Sequence, residues 1–153
     1  MVTYFPITQA GRDHLQAEVE QLKHDRPQYI QRLAAAAALG DRSENAEYSA
    51  AKRDLRQLEG RLRYLDKLLR YGQLVPTPAG DVAAIGTTVT VSFGPSDEDT
   101  YRLVGPVEAS MAPSNLASDS PLGQALLEHA AGDMVVVHAP AGDYSVTLVA
   151  VRR

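Results

Sequence analysis

Gly40-Asp41-Arg42-Ser43-Glu44-Asn45-Ala46-Glu47-Tyr48 separates two long helical patterns and decides how the chain folds. A glycine is typical of the residue after a helix, and small polar residues are typical of the start of the next one. The stretch therefore predicts the turn of a helical hairpin. It places three carboxylates, those of Asp41, Glu44 and Glu47, at the far end of the projection that such a hairpin forms. A tip cannot form a pocket by itself, so we expect these acids to act inside a partner.

Two seams flank this turn, and both have the alternating three- and four-residue steps of a coiled coil. The first seam consists of Leu15, Val19, Leu22, Arg26, Tyr29, Leu33 and Ala36. The second seam consists of Tyr48, Ala51, Leu55, Leu58, Leu62, Leu65 and Leu69. Thr8 is the expected N-cap of the first helix, and Pro27 is expected to bend that helix without ending it. The seams predict an antiparallel coiled coil about 45 Å long, for roughly 30 residues in each helix.

The composition favours a globular protein without cysteine chemistry. Apolar residues make up 44% of the 153 residues and charged residues 22%, and no apolar run approaches the roughly 20 residues of a membrane span. Because there is no cysteine, disulfides and thiolate metal sites are excluded. Residues 1–75 carry 12 Lys/Arg against 10 Asp/Glu, whereas residues 76–153 carry 3 against 9. The sequence thus predicts a soluble, cytoplasmic protein whose two halves meet different partners.

Pro76-Thr77-Pro78-Ala79-Gly80 predicts a stiff linker over residues 76–80. It would join a coiled-coil domain, residues 1–75, to a second domain, residues 81–153. The second domain should hold a twisted, mostly antiparallel sheet of four or five strands and one helix. The predicted strands are Val89–Phe93, Tyr101–Val104, Met134–His138 and Tyr144–Val151; the predicted helix is Leu122–Ala130, and residues 94–100 form a loop. No nucleophile–base pair or metal-spaced histidine set occurs there, so we interpret it as a docking module.

Two interpretations of the acidic turn follow from its spacing. Asp41 and Glu44 precede a helix at capping-box spacing, and Ser43 is a competing N-cap, so the acids can be simple caps. Alternatively, two carboxylates three residues apart can share one hard cation. Mg²⁺ is usually held by one or two carboxylates together with phosphates and water, so two acids on a probe form half a metal site. Such a pair could complete a two-metal arrangement for phosphodiester hydrolysis.

Arg56, Arg63 and Arg70 recur every seven residues on the second helix, away from the seam. This basic stripe is consistent with an ordinary solvated helix face. It is also consistent with contact to RNA phosphates or to the wall of an acidic channel.

The acidic turn, with Ala50-Ala51-Lys52 after it, resembles the signature of the bacterial GreA/GreB transcript cleavage factors. The resemblance extends over essentially the whole chain. It includes Pro6-Ile7-Thr8 with Gly11, Arg26-Pro27, Ser120-Pro121-Leu122-Gly123, Gly132-Asp133, and Pro140 with Gly142.

This resemblance implies an α+β fold with an antiparallel coiled-coil hairpin and a C-terminal FKBP-like domain. It further implies that the protein, as a monomer, binds bacterial RNA polymerase and inserts the coiled coil into the secondary channel. Asp41 and Glu44 match the family's two key acids, which help to hold Mg²⁺ jointly with polymerase, so the isolated protein should bind no metal tightly. The polymerase would then cleave the 3′ end of backtracked nascent RNA, and the factor itself would not be an enzyme. Asp119, Ser120 and Pro121 match a loop that contacts polymerase.

One departure from the family pattern keeps alternatives open. Ala35-Ala36-Ala37-Ala38-Leu39 stands where the family usually has charged residues, among them an arginine near position 37. The first alternative is therefore a secondary-channel regulator that inhibits polymerase without stimulating cleavage. The second is a structural coiled-coil adaptor without a metal role. The FKBP-like resemblance also raises prolyl isomerase activity. We do not expect it, because the second half has only three aromatic residues, Phe93, Tyr101 and Tyr144, and shows no obvious aromatic-lined pocket in sequence.

Overall fold

The computed structural model describes residues 3–40 and 45–153, which form two compact units. The helical unit is Asp13–Tyr71, and the sheet unit combines Met1–Arg12 with Gly72–Arg153. The first twelve residues thus cluster with the sheet unit, and the predicted domain bounds, residues 1–75 and 81–153, stay a prediction.

Two long antiparallel helices make up most of the helical unit. Helix α1 spans Gln9–Ala37 and helix α2 spans Ala46–Tyr71. Arg61 binds Glu18 at 2.7 Å and Arg32 binds Asp54 at 2.6 Å, so positions late in one helix contact positions early in the other. Helix α1 continues through Pro27, as predicted, while the bend expected there stays a prediction.

The predicted seams are buried at both ends of α1 but not in its middle. Buried seam residues are Leu15, Val19 and Ala36 on α1 and Ala51, Leu58 and Leu65 on α2. Between Val19 and Ala36, every residue of α1 is half-buried or exposed. At the centre of this stretch, Arg26 occupies a seam position and binds Glu59 at 3.0 Å. An ion pair between the helices thus stands where the seam lacks an apolar residue.

The start of α1 is held by a carboxylate far away in sequence. Thr8 is the N-cap, as predicted, because its Oγ1 accepts the Gly11 N–H at 3.1 Å. In a capping box the third helical residue would supply a carboxylate to the N-cap N–H. Here that residue is Gly11, and buried Glu108 accepts the Thr8 N–H at 2.9 Å and the Thr8 hydroxyl. A Cβ at position 11 would overlap the Glu108 side chain, so the glycine makes room for the distant cap.

The residues before and after the helices pair with each other. Strand β1, Phe5–Ile7, runs parallel to strand β2, Gly72–Leu74. Ile7 is 1% exposed, so strand β1 ends in a buried side chain.

The sheet unit is built on a five-stranded sheet in the order β5-β4-β3-β7-β6. The strands are β3 (Thr88–Gly94), β4 (Asp97–Val104), β5 (Asn115–Ala117), β6 (Met134–Ala139) and β7 (Gly142–Arg152). All neighbouring strands are antiparallel except β4 and β5. Its inner face, with helix α3 (Pro121–Leu126), forms one core: Ala83, Val89, Val91, Leu103, Leu122, Leu126, Val135, Val137, Val146 and Leu148. The predicted fold class, a helical hairpin plus a curled, mostly antiparallel sheet, is confirmed.

Two predicted boundaries in this unit are wrong. The predicted loop over residues 94–100 is mostly strand, because β4 already begins at Asp97. The predicted helix to Ala130 ends at Leu126. The residues after Leu126 pair instead with an earlier segment of the chain. The Glu128 N–H donates to the Ala83 carbonyl at 2.7 Å, and the Ala83 N–H donates to the His129 carbonyl at 2.8 Å. Within the described residues, no helix is both long and apolar enough to cross a membrane.

Candidate functional site

The side chain of Asn45 forms hydrogen bonds to both α1 and α2. Asn45 Oδ1 accepts the Tyr48 N–H at 3.0 Å, and Asn45 Nδ2 donates to the Ala36 carbonyl at 2.8 Å. The first bond caps α2, and the second ties that cap to the last turn of α1. The N-cap role considered for Ser43 belongs to Asn45, because α2 begins only at Ala46. Sequence reasoning missed this, although an asparagine three residues before the bonded N–H is the signal for it.

Asp41 and Glu44, the two predicted catalytic and metal-binding acids, lie outside the described residues. Their flanks are defined. Gly40 has a φ of +114°, a backbone conformation that favours glycine, and it directly precedes Asp41. Asn45, locked to both helices, directly follows Glu44. The chain thus leaves one helix and enters the other at fixed points on either side of the acid pair.

A groove beside the turn is lined mainly by alanine. Its volume is about 450 Å³, and Arg32, Ala35, Ala36, Leu39, Glu47 and Ala50 line it. Leu39 is 68% exposed. This alanine groove contains the segment that departs from the family's charged pattern, so an apolar surface lies beside the acidic turn.

A second groove, on α2, has a cationic lining. It has a volume of about 440 Å³ and is lined by Ser49, Lys52, Arg53, Arg56 and Gln57. We call it the basic groove. It joins Arg56, predicted to contact RNA or a channel wall, with Lys52 and Arg53. Sequence reasoning missed Arg53, because it lies outside the seven-residue repeat.

The three arginines of the predicted stripe have different surroundings. Arg70 binds Asp66 at 3.0 Å, one helical turn away, as expected for a solvated face. Arg56 and Arg63 are exposed, and within residues 3–40 and 45–153 neither forms an ion pair. The stripe is therefore partly neutralised at Arg70, and its free charge lies nearer the turn.

Ion pairs elsewhere on the hairpin alter the ionisation of its acids. A hydrogen bond from Arg32 lowers the pKa of Asp54, and Arg53 contributes further. A hydrogen bond from Arg61 lowers the pKa of Glu18, against the opposing effect of partial burial. Both acids are consequently ionised at neutral pH and tie the helices together rather than serving as proton donors.

The predicted polymerase-binding loop, Asp119-Ser120-Pro121, lies in the sheet unit at the start of α3. Ser120 caps this helix, since its Oγ accepts the Gly123 N–H at 3.1 Å and donates to the Ala117 carbonyl at 2.7 Å. A Cβ at Gly123 would overlap the Ala117 carbonyl oxygen. Asp119 and Pro121 are exposed on either side of this cap. The loop thus presents two residues to solvent from a backbone fixed by the residue between them.

Known proteins match this chain over nearly its whole length. Residues 5–73 match the family model described as "Transcription elongation factor, N-terminal", and residues 77–153 match "Transcription elongation factor, GreA/GreB, C-term". The chain is 51% identical over 152 residues to transcription elongation factor GreA 1 of Lactiplantibacillus plantarum, covering 99% of this chain and 97% of that protein. It is 39% identical over 153 residues to GreA of Streptococcus thermophilus strain CNRZ 1066, covering 97% and 96% respectively.

Among solved structures, the Gfh1 protein of Thermus thermophilus aligns over 99% of this chain and 100% of its own, with a TM-score of 0.47 and 24% identity. A GreA/GreB factor from Nitrosomonas europaea aligns over 97% and 99%, with a TM-score of 0.41 and 20% identity. The family resemblance read from the acidic turn is confirmed by the two family models and the curated relatives. The chain belongs to the GreA/GreB family of transcription elongation factors.

Proposed function

We propose that this protein binds RNA polymerase and stimulates the polymerase's own cleavage of the 3′ end of backtracked RNA. The observation that carries this proposal is the pair Asp41 and Glu44, held in sequence between Gly40 and the double anchor of Asn45. In this proposal the hairpin enters the secondary channel and delivers the pair to the active centre. The factor acts in the cytoplasm as a monomer and is not itself an enzyme.

The acid pair suits a shared Mg²⁺ ion. Asp41 and Glu44 offer hard oxygen donors, and Asn45 rather than either acid accepts the Tyr48 N–H in the first turn of α2. Among residues 3–40 and 45–153, no group of three or more His, Asp or Glu could hold a metal. Because two carboxylates supply only part of the coordination sphere of Mg²⁺, the other ligands would come from water and from polymerase. Bound there, Mg²⁺ would supply Lewis-acid activation of water for phosphodiester hydrolysis.

The residues around the turn have supporting roles in this proposal. Asn45, which directly follows Glu44, connects the Ala36 carbonyl to the first turn of α2. The small side chains of Ala35 to Ala38 keep the end of the hairpin narrow. Arg56, with Lys52 and Arg53 in the basic groove, offers cations to the phosphates of nascent RNA. Asp119 and Pro121 contact polymerase from the sheet unit.

The second candidate function is inhibition of polymerase through the same channel without stimulated cleavage. The alanine groove favours it, because exposed Ala35 and Leu39 present an apolar surface where the resemblance leads us to expect charge. An apolar tip surface can occlude a channel without binding RNA. The intact acid pair supports cleavage instead, and we place that function first.

The test uses a purified backtracked complex of polymerase, DNA and RNA with Mg²⁺. Release of 3′ RNA fragments is followed with the wild-type protein and with the double variant Asp41→Ala/Glu44→Ala, and polymerase binding is measured separately. Glu47→Ala is the matched control, because it removes an exposed acid from the first turn of α2.

We expect rapid cleavage with wild type and with Glu47→Ala, and the rate of polymerase alone with the double variant. If wild type binds but does not accelerate cleavage, the proposal fails, and slower nucleotide addition in the same reaction would establish the inhibitor. Equal cleavage by the double variant would also contradict the role of the acids.

A further inference from the structure

Every lysine or arginine of residues 76–153 lies at, or directly after, the same end of the central strands of the five-stranded sheet. These residues are Arg102, Arg152 and Arg153. In the register of the sheet, Arg102 of β4 is opposite Thr88 of β3, and Thr88 is opposite Arg152 of β7. Residues aligned across strands project to the same face, so the two arginines are about 10 Å apart on either side of a threonine. An Arg102 Nη1 contact to Thr88 Oγ1 at 3.4 Å agrees with that placement.

Arg102 and Arg153 line the same cavity. Its volume is about 200 Å³, and its other walls include Thr8, Pro76, Pro78 and Gly86. All of these residues belong to the sheet unit. We call this cavity the arginine pocket.

The backbone of the linker at Ala79 and Gly80 lies against the Arg153 side chain. Arg153 Nε donates to the Ala79 carbonyl at 3.1 Å, which leaves the terminal amino groups of the guanidinium for another acceptor. Gly80 has a φ of +93°, and a Cβ there would lie 3.1 Å from Arg153 Cγ. The linker thus has a glycine where the arginine stem crosses it.

Among the described residues, no acidic side chain pairs with Arg102 or Arg153, the two arginines of the pocket. Across the described residues, neither Arg102 nor Arg153 forms an ion pair, whereas five arginines of the helical unit do: Arg26, Arg32, Arg53, Arg61 and Arg70. Glu108 is bonded to Thr8, which lines the pocket, but its oxygens accept the Thr8 N–H, the Thr8 hydroxyl and the Gly105 N–H. Unpaired arginines are unexpected in a half of the chain with three times as many acids as bases.

We propose that the arginine pocket binds a phosphate group. Guanidinium groups bind phosphate oxygens through paired hydrogen bonds, which makes arginine the preferred residue for this ligand. The pocket is smaller than the roughly 300–1,000 Å³ of sites for drug-sized molecules, so it accommodates a single phosphate group rather than a whole nucleotide. Two sources carry this chemistry: free phosphate and the terminal phosphate of a nucleic acid. The site is separate from the acidic turn and does not depend on the cleavage activity.

The test is a calorimetric titration of the full chain with inorganic phosphate at low ionic strength. We expect saturable binding that Arg153→Gln weakens about tenfold or more, as loss of a charge-assisted hydrogen bond predicts. Arg102→Gln should have a similar effect, and circular dichroism checks its fold. Because Arg153 is exposed, its variant tests the pocket even if Arg102→Gln fails to fold. Lys23→Gln is the matched control, since it removes an exposed cation of the helical unit to which no binding role is assigned, and it should leave phosphate binding unchanged.

A second titration distinguishes the sources with a short RNA oligomer carrying either a 5′-phosphate or a 5′-hydroxyl. Tighter binding of the phosphorylated oligomer, lost in Arg153→Gln, assigns the pocket to a nucleic-acid terminus. Binding of inorganic phosphate without any gain from the oligomer assigns it to the free ion. The proposal is overturned if neither ligand binds saturably, if Arg153→Gln binds like wild type, or if Lys23→Gln weakens binding equally.

Discussion

The two units of this protein are stabilised in different ways. The sheet unit has one continuous core of ten buried hydrophobic residues, from strands β3, β4, β6 and β7, helix α3 and the segment at Ala83. The helical unit has buried seam positions at the two ends of α1 and along α2, and between Val19 and Ala36 it has cross-helix ion pairs of partly exposed side chains. Burial stabilises by roughly 25 cal/mol per Å², whereas exposed ion pairs contribute at most about 1 kcal/mol each. The hairpin is thus narrow and has a smaller core. Its free energy of unfolding should therefore depend more on salt and on helix caps than that of the sheet unit does.

The largest expected effect is a cavity in the sheet core. Leu148 is 0% exposed, and Leu148→Ala should lower the free energy of unfolding of the sheet unit by about 2–5 kcal/mol, through lost transfer energy and an unfilled cavity. Urea denaturation followed by circular dichroism measures this change. Leu22→Ala, at a half-buried position of the helical seam, should cost about 1 kcal/mol.

Val149→Ala is the control for strand β7, because Val149 is 41% exposed, and it should cost under about 0.5 kcal/mol. If Leu22→Ala cost as much as Leu148→Ala, the contrast between a packed sheet and a thin hairpin would be wrong.

The next effect concerns the long-range cap on α1. Glu108→Ala leaves the buried N–H groups of Thr8 and Gly105 without their acceptor, and it should cost about 3 kcal/mol. Gly11→Ala should also destabilise the wild-type protein, because its Cβ overlaps Glu108. In the Glu108→Ala background that overlap is gone, so the second substitution should become nearly neutral. A double-mutant cycle by urea denaturation measures this coupling, and simple additivity would show that Gly11 has another role.

The contrast between units also explains what the sequence alone could predict. The seams from Leu15 to Ala36 and from Tyr48 to Leu69 repeat every few residues, so local periodicity was enough to predict both helices and their pairing. Glu108 acts on Thr8 across 100 positions, and no local pattern indicates such a contact. The end of α3 was misplaced for a similar reason, since Glu128 and His129 pair with Ala83 far back in the chain. In the candidate site, spacing drew attention to the acids and to Arg56, and the family resemblance gave the acids their predicted role, which stays a prediction. The grouping of Arg56 with Lys52 and Arg53 required the structure.

A smaller effect is expected at the cap of α2. Asn45→Ala removes the bond to the Tyr48 N–H and the bond to the Ala36 carbonyl, and it should lower the free energy of unfolding of the hairpin by about 1 kcal/mol. Asn45→Asp keeps the acceptor for the Tyr48 N–H but loses the donor to Ala36, so its loss should be intermediate. Thermal unfolding of the three proteins gives the order. An Asn45→Asp variant as unstable as Asn45→Ala would assign the effect to the cross-helix bond alone.

The smallest effect is expected at an ion pair between the helices. Arg61 holds Glu18 through two hydrogen bonds of 2.7 and 3.0 Å and lowers the pKa of Glu18. Because the folded pKa is below the unfolded one, this stabilisation is fully present above the ordinary value of about 4.3 and is lost as the pH falls through the folded pKa. Both side chains are partly exposed, so Arg61→Gln should cost only about 0.2–1 kcal/mol at neutral pH, less in high salt, and nothing at low pH. Urea denaturation at several pH values measures this difference. A loss that persisted unchanged at low pH and in high salt would mean that the arginine stem stabilises by packing, and the hairpin would then resemble the sheet unit more than its exposed ion pairs suggest.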